Sequence, residues 1–131
     1  MDELPIQSGD DVVRVRQQVR VVAADSGLSL VDQTKLVTAA SELARNTLVH
    51  GGGGTARVEV VKSANGRNGV RIGFADEGPG IPDIDLALTD GWTSGAGLGL
   101  GLSGARRLVD EFELTSKAGR GTTVVVVKWS R

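Results

Sequence analysis

The chain has 131 residues, a net charge of −1 and no cysteine. That length suits one domain with a real core, spanning residues 1–131; the near-neutral charge leaves no field to draw it to nucleic acid or a membrane surface. The missing thiols exclude a disulfide framework or a thiolate metal site, and 3% aromatic residues with no tyrosine leave little to stack on bases.

Met1-Asp2-Glu3-Leu4-Pro5 lacks the basic-then-apolar pattern of a secretory leader, and no apolar run approaches spanning length. The expectation is a cytoplasmic protein with no nucleic-acid or membrane partner. Leu4 to Ser8 reads as a short first strand, followed by a turn at Gly9-Asp10. Val12, Val15, Val19, Val22 and Ala23 lie at helical spacing, although valine prefers strands; the period decides for a helix over 12–25, capped by Asp10 or Asp11 and ended by Gly27. Arg14, Arg16 and Arg20 fall elsewhere on its surface, as a solvated face or a docking surface.

Ser29 caps a longer helix, with Asp32 three residues on in the position of a capping-box carboxylate. Leu36, Val37, Ala40, Leu43, Ala44, Thr47 and Leu48 form its buried stripe. Glu42, Asn46 and His50 follow at intervals of four, so they line up on one side of the helix. A carboxylate followed by an amide offers a base and hard oxygen ligands of the kind Mg²⁺ takes when it keeps its waters and shares phosphate oxygens.

Gly51 to Gly54 ends that helix. Strands are predicted over 55–62 and 68–75, because Ala56, Val58, Val60 and then Val70, Ile72, Phe74 alternate with polar residues. Asn65-Gly66 supplies the hairpin turn. The second strand runs into Asp76-Glu77-Gly78-Pro79-Gly80-Ile81-Pro82. An ionised carboxylate accepts hydrogen bonds and donates none, so Asp76 suits an exocyclic amine such as that of adenine, with the glycine turn letting backbone lie against a flat ligand. A short helix is predicted over 83–88, and Asp90 to Ser94 opens a lid anchored by Trp92.

The stretch 95–104 reads Gly-Ala-Gly-Leu-Gly-Leu-Gly-Leu-Ser-Gly, with five glycines in ten positions. Ordering each glycine costs more backbone entropy than ordering alanine; the spacing instead gives a ribbon whose N–H groups can converge on an anion. A helix predicted over 105–112 follows it, the junction where phosphate binds readily. The dinucleotide fingerprint is excluded, because the ribbon follows turn-like residues and no carboxylate stands about 20 residues further on. A Walker loop needs Gly-Lys-Ser/Thr, which the chain lacks. The last strands are predicted over 113–118 and 122–129, turning through Gly119-Arg120-Gly121. The unbroken run Val124 to Val127 predicts a central strand covered on both faces or nearly so; Thr122 and Thr123 start it, either as ordinary strand residues or, if the strand neighbours that of Asp76, with a hydroxyl that reaches the same ligand.

Three pieces thus stand in order: Ser41-Glu42-Leu43-Ala44-Arg45-Asn46, Asp76-Glu77-Gly78-Pro79-Gly80-Ile81, and Gly97-Leu98-Gly99-Leu100-Gly101-Leu102. Together they resemble the N box and two glycine boxes of the GHKL ATPase/kinase superfamily of histidine kinases, gyrase-type ATPases and Hsp90. With Gly121-Thr122-Thr123 as the last element, the resemblance covers almost the whole chain. Its order, with Arg107-Leu108-Val109-Asp110-Glu111-Phe112 before Lys128-Trp129, is most similar to the small stand-alone serine kinases of the RsbT branch, with the RsbW branch second.

The resemblance implies a two-layer α/β sandwich, with a mixed, mostly antiparallel sheet and helices on one face. It implies ATP and Mg²⁺, with Asn46 as metal ligand and Glu42 as base or orienter of the attacking hydroxyl. Asp76 would read adenine with help from Thr123, Gly78 and Gly80 would allow close approach, and Gly97, Leu98, Gly99, Leu100 and Gly101 would wrap the phosphates. Ser103 stands where the family often has proline and suits a helix N-cap; His50 is expected to support the site's residues from behind or to be structural, and not to be a phosphoacceptor. The implied function is a protein serine/threonine kinase and partner-switching regulator. It would phosphorylate a STAS-domain antagonist and then activate a PP2C-type phosphatase. The alternatives are a nucleotide-gated binding module without phosphotransfer, or an RsbW-type anti-sigma factor that binds a sigma factor directly.

Overall fold

The computed structural model describes residues 2–81, 88 and 102–131. Its elements run β1 (Asp2–Ile6), α1 (Gly9–Asp25), α2 (Leu30–Val49), β2 (Gly54–Lys62), β3 (Asn68–Asp76), α3 (Leu102–Arg107), β4 (Glu111–Lys117) and β5 (Gly121–Trp129). The expected helix over 83–88 (Leu88 apart), the lid opening with Trp92, and ribbon positions 95–101 lie outside the described residues.

Helix α1 begins earlier than its valines suggest. Ser8, rather than Asp10 or Asp11, is the N-cap: its hydroxyl accepts the Asp11 N–H at 3.4 Å while the Asp11 carboxylate accepts the Gln7 N–H at 2.8 Å. One donor of the first turn and one just before the cap are thereby satisfied, in a variant of the capping box. The helix closes in a Schellman turn, with Leu28 N–H bonded to Ala23 C=O and Gly27 N–H to Ala24 C=O, Gly27 supplying φ +84°. Val15, Val19 and Ala23 are fully buried, so periodicity prevails over the strand propensity of valine. Ser29 caps α2 by accepting the Asp32 N–H at 3.1 Å. The predicted stripe of α2 is inside, with Leu36, Ala40 and Ala44 at zero exposure.

The five strands pair in the order β1-β2-β3-β5-β4, every described pairing antiparallel. Register sorts one side chain set towards the helices. Ala56, Phe74, Val124 and Leu114 form one transverse row, and Val58, Ile72, Val126 and Phe112 form the next. These rows and the stripes of α1 and α2 make one hydrophobic core, the α/β sandwich with helices on one face that the family resemblance implies.

Several boundaries differ from expectation. The first strand is Asp2–Ile6 rather than 4–8, because Ile6 pairs with Gly54 and the chain then turns to cap α1. Helix α3 starts at Leu102 and stops at Arg107, so Gly104 and Ser103 lie inside it and Ser103 is not its N-cap. Leu102 and Ala105, one turn apart, are its buried residues. The chain leaves the helix when Asp110 N–H bonds Val127 C=O, which makes Glu111 and Phe112 the start of β4. Strand β5 is central, but helices cover one face only. On the other face Val127 is buried and Val125 half-buried, in a groove with Arg71, Glu111 and Trp129.

At the far end of the core face sits a buried cation. Lys128, 4% exposed, lies 3.7 Å from Asp32 of α2 and 3.6 Å from Asp110. Arg131 contacts the same two carboxylates, and Asp110 also accepts the Trp129 N–H. The Asp32 carboxylate thus pins β5 to the start of α2.

Candidate active site

One transverse row closes the opposite end of the sheet. Ile6 pairs with Gly54, Gly54 with Asp76, Asp76 with Thr122, and Thr122 with Ser116, so all five strands contribute one position each. The row follows the parity of Phe74 and Val124 and therefore faces the helices. Above it ends α2, where a Cβ on Gly54 would lie 2.8 Å from the Thr47 methyl. Between helix end and strand row is a cavity walled by Leu43, Phe74, Ile81, Leu102 and Val124, with Asn46, Thr47, His50, Asp76 and Thr122 as its polar members. Its room is about 20 Å³, enough for one water. Larger hollows lie on the outer sheet face and beside Gly51 to Thr55; neither joins apolar walls to convergent groups from the helix and two strands.

Asp76 is held by a collar of glycines. A Cβ on Gly51 would sit 2.6 Å from the Asp76 carboxylate, and one on Gly78 would sit 2.7 Å from the Gly51 carbonyl. Gly121 adopts φ +102°, and a Cβ there would strike the Asp76 carbonyl and lie 2.9 Å from the Glu77 Cα. Backbone can approach this closely only without side chains. Asp76 Oδ1 accepts the Gly78 N–H at 2.9 Å, which shapes the turn at 76–78 as an Asx turn.

The turn after Asp76 is fixed from both sides. His50, the C-cap of α2, brings Nε2 to 3.3 Å from the Gly80 carbonyl, which as an acceptor requires the proton on Nε2. Gly119 N–H donates to Pro79 C=O at 2.7 Å, and Ile81 N–H donates to Ser116 Oγ at 2.7 Å. Gly80 has φ +77° and leaves no room for a Cβ against the Lys117 carbonyl. His50 is therefore both a cavity residue and a strap.

Of the residues the sequence singles out, Asn46, His50 and Asp76 meet at the cavity. Glu42 is half-buried one turn before Asn46 on the same helix. Gly78 and Gly80 form the turn against Asp76. Thr123 is corrected: it pairs with Ala75 on the other sheet face and is exposed, whereas Thr122 faces the cavity beside Asp76. Strand parity separates the two, and an unbroken valine run conceals parity. Ser116 and Gly51 went unread because their roles depend on pairing and on close approach far along the chain. Gly97, Leu98, Gly99, Leu100 and Gly101 lie outside the described residues.

The donor set fits a nucleotide. An apolar slot with an acceptor carboxylate at its end suits a base with an exocyclic amine. No group of three or more His, Cys, Asp or Glu side chains gathers among the described residues. A single amide oxygen from Asn46 matches the sparse protein share that Mg²⁺ takes alongside phosphates and waters.

The family model of histidine kinase-, DNA gyrase B-, and HSP90-like ATPases matches residues 31–130. The chain belongs to this family. Among curated relatives, the serine/threonine-protein kinase RsbT of Bacillus subtilis (strain 168) is 46% identical over 121 residues, covering 92% of this chain and 90% of RsbT. With the family match, that likeness marks the chain as an enzyme, an ATP-binding kinase of the serine/threonine-protein kinase class. The anti-sigma F factor of Thermoanaerobacter sp. (strain X514) is 29% identical over 117 residues, covering 87% of this chain and 82% of that one. A crystal structure of the RsbU and RsbW domains of a Mycobacterium tuberculosis protein superposes with a TM-score of 0.64 at 25% identity over all of this chain, which spans 33% of that one. The catalytic domain of histidine kinase ThkA matches with a TM-score of 0.54 at 15% identity, covering 99% of this chain and 97% of that domain, a likeness of fold. No helix among the described residues is long and apolar enough to cross a membrane.

Proposed function

We propose that this ATPase-family kinase transfers the γ-phosphoryl group of ATP to a serine or threonine hydroxyl on a STAS-domain antagonist protein. Released from its phosphorylated partner, it binds and activates a PP2C-type phosphatase. The observation that carries the reading is the convergence of Asn46, Asp76 and Thr122 on one apolar cavity, with Glu42 one turn along the helix that supplies Asn46. Asp76 accepts from the adenine amine, with Thr122 beside it. Gly78 and Gly80 give the base and sugar close backbone, and the ribbon from Gly97 to Gly101, with Leu98 and Leu100, holds the phosphates. Asn46 holds Mg²⁺, which neutralises charge on the phosphate oxygens when bound. Glu42 orients the acceptor hydroxyl and takes its proton. Transfer is then chiefly a matter of positioning, with little covalent work left to the protein. Residues 1–131 act as one cytoplasmic kinase domain.

The test is intact mass of a STAS-domain protein encoded beside this gene, incubated with the chain, Mg²⁺ and ATP. A gain of one phosphate that disappears with Glu42→Gln is expected. No gain while ATP still raises the melting temperature would favour a nucleotide-gated binder. The likeness to anti-sigma F factors favours one second reading, direct sequestration of a sigma factor; co-purification with the sigma factor but not with the STAS protein would establish it.

A further inference from the structure

We infer that Ser116 is a positioning residue that sets the hydrogen-bond polarity of the cavity and hence its choice of base. The inference rests on the nucleotide reading above and goes beyond it, because Ser116 stands on β4 and is not among the residues lining the cavity.

The Ser116 hydroxyl has three neighbours: Ile81 N–H at 2.7 Å, the Gly121 carbonyl at 3.2 Å and Thr122 Oγ1 at 2.9 Å. A hydroxyl offers one hydrogen and two lone pairs. The Ile81 amide can only donate and the Gly121 carbonyl can only accept. Ser116 therefore satisfies all three neighbours in a single arrangement: it accepts from Ile81, donates to Gly121 and accepts the Thr122 proton. The reverse polarity, Ser116 donating to Thr122, leaves the bond to Gly121 unmade. In the favoured arrangement the only proton of Thr122 is spent on Ser116, and Thr122 turns lone pairs towards the cavity.

Asp76, with one oxygen already bonded to Gly78 N–H, offers acceptors as well. The cavity end is thus an acceptor pair on neighbouring strands, Asp76 paired with Thr122. An exocyclic amine carries two hydrogens and answers both, directly or through the one water the space admits. A purine without that amine leaves both acceptors unanswered, the situation in which buried polar groups reject an analogue most strongly. Without Ser116, the Thr122 hydroxyl rotates freely and can donate to the ring instead, and the preference weakens.

The experiment compares dissociation constants for ATP and for purine riboside triphosphate, which lacks the 6-amino group, in the full chain, Ser116→Ala, Ser116→Thr, Thr122→Val and the Ser116→Ala/Thr122→Val double variant. The preference for ATP should fall roughly three- to tenfold in Ser116→Ala, the size of one net hydrogen bond, and persist in Ser116→Thr. On the Thr122→Val background, Ser116→Ala should change the preference no further, since it acts through that hydroxyl. An unchanged preference in Ser116→Ala alongside a lower melting temperature would reduce Ser116 to a brace for the 78–81 turn and overturn the inference. ATP binding indifferent to Asp76→Asn would instead overturn the nucleotide site itself.

Discussion

The core face of the sheet carries a polar cluster at each end, and helix α2 spans the distance between them. At its start, Lys128 is enclosed by Asp32 and Asp110, with Arg131 on the same carboxylates. Charges balance two against two. At its finish, Asn46, His50, Asp76 and Thr122 border a cavity, and the carboxylate there has no cation beside it among the ion pairs of the described residues. Two hydrophobic rows separate the clusters. The difference teaches how to tell a brace from a candidate site in one fold: the brace answers its own charges, while the candidate site leaves a carboxylate bordering a cavity.

Breaking the brace should cost the most and leave the site intact. Lys128→Met removes one member of a buried cluster, for which about 3–5 kcal/mol of stability is usual; urea unfolding should show a loss near the lower figure, since Arg131 remains. ATP affinity of the folded fraction should stay at the parent value. Asp76→Asn reverses the pattern. The loss of a charge-assisted hydrogen bond, about 1.5–3 kcal/mol, should appear in calorimetric ATP binding, with the nucleotide-free melting temperature little changed. Gly51→Ala tests the collar without touching a ligand contact, since its Cβ would meet the Asp76 side chain. Overpacking of about 1–3 kcal/mol should be divided between weaker ATP binding and a lower melting temperature. The smallest effect sharpens the parity argument. Thr122→Val should weaken ATP binding by about 1 kcal/mol, while Thr123→Val on the outer face should stay within about 0.5 kcal/mol. Equal effects at the two threonines would overturn the assignment of Thr122.

Much of this contrast was legible in the sequence where the signal is local. The α2 stripe, the β2–β3 hairpin and Asp76 at a strand end follow from periodicity and turn chemistry acting over a few residues. The α1 cap at Ser8 escaped because Asp10 and Asp11 offer the same chemistry one turn later. Asp32 reads as a cap carboxylate, yet its partner is Lys128, 96 positions on, and no local pattern announces that. Helix α3 ends early because Asp110 is drawn into the β5 ladder, again a distant decision. Of the site, the members on α2 and β3 were legible one by one. Their meeting with Thr122, and the link from Thr122 to Ser116, depend on the order β3-β5-β4, which composition and spacing do not encode.

The straps on the 78–81 turn have a consequence for the energy landscape. By sequence this is a Gly-Pro-Gly loop, the kind of segment that ordinarily opens locally at little cost. Here three amide or ring N–H groups tie it to the end of α2 and to the β4–β5 hairpin. Opening it breaks contacts on two separate elements at once, which joins the loop to the cooperative unit of the sheet. This wall of the cavity is therefore assembled during folding, and the entropy of ordering it is lost before any ligand arrives rather than at the moment of binding.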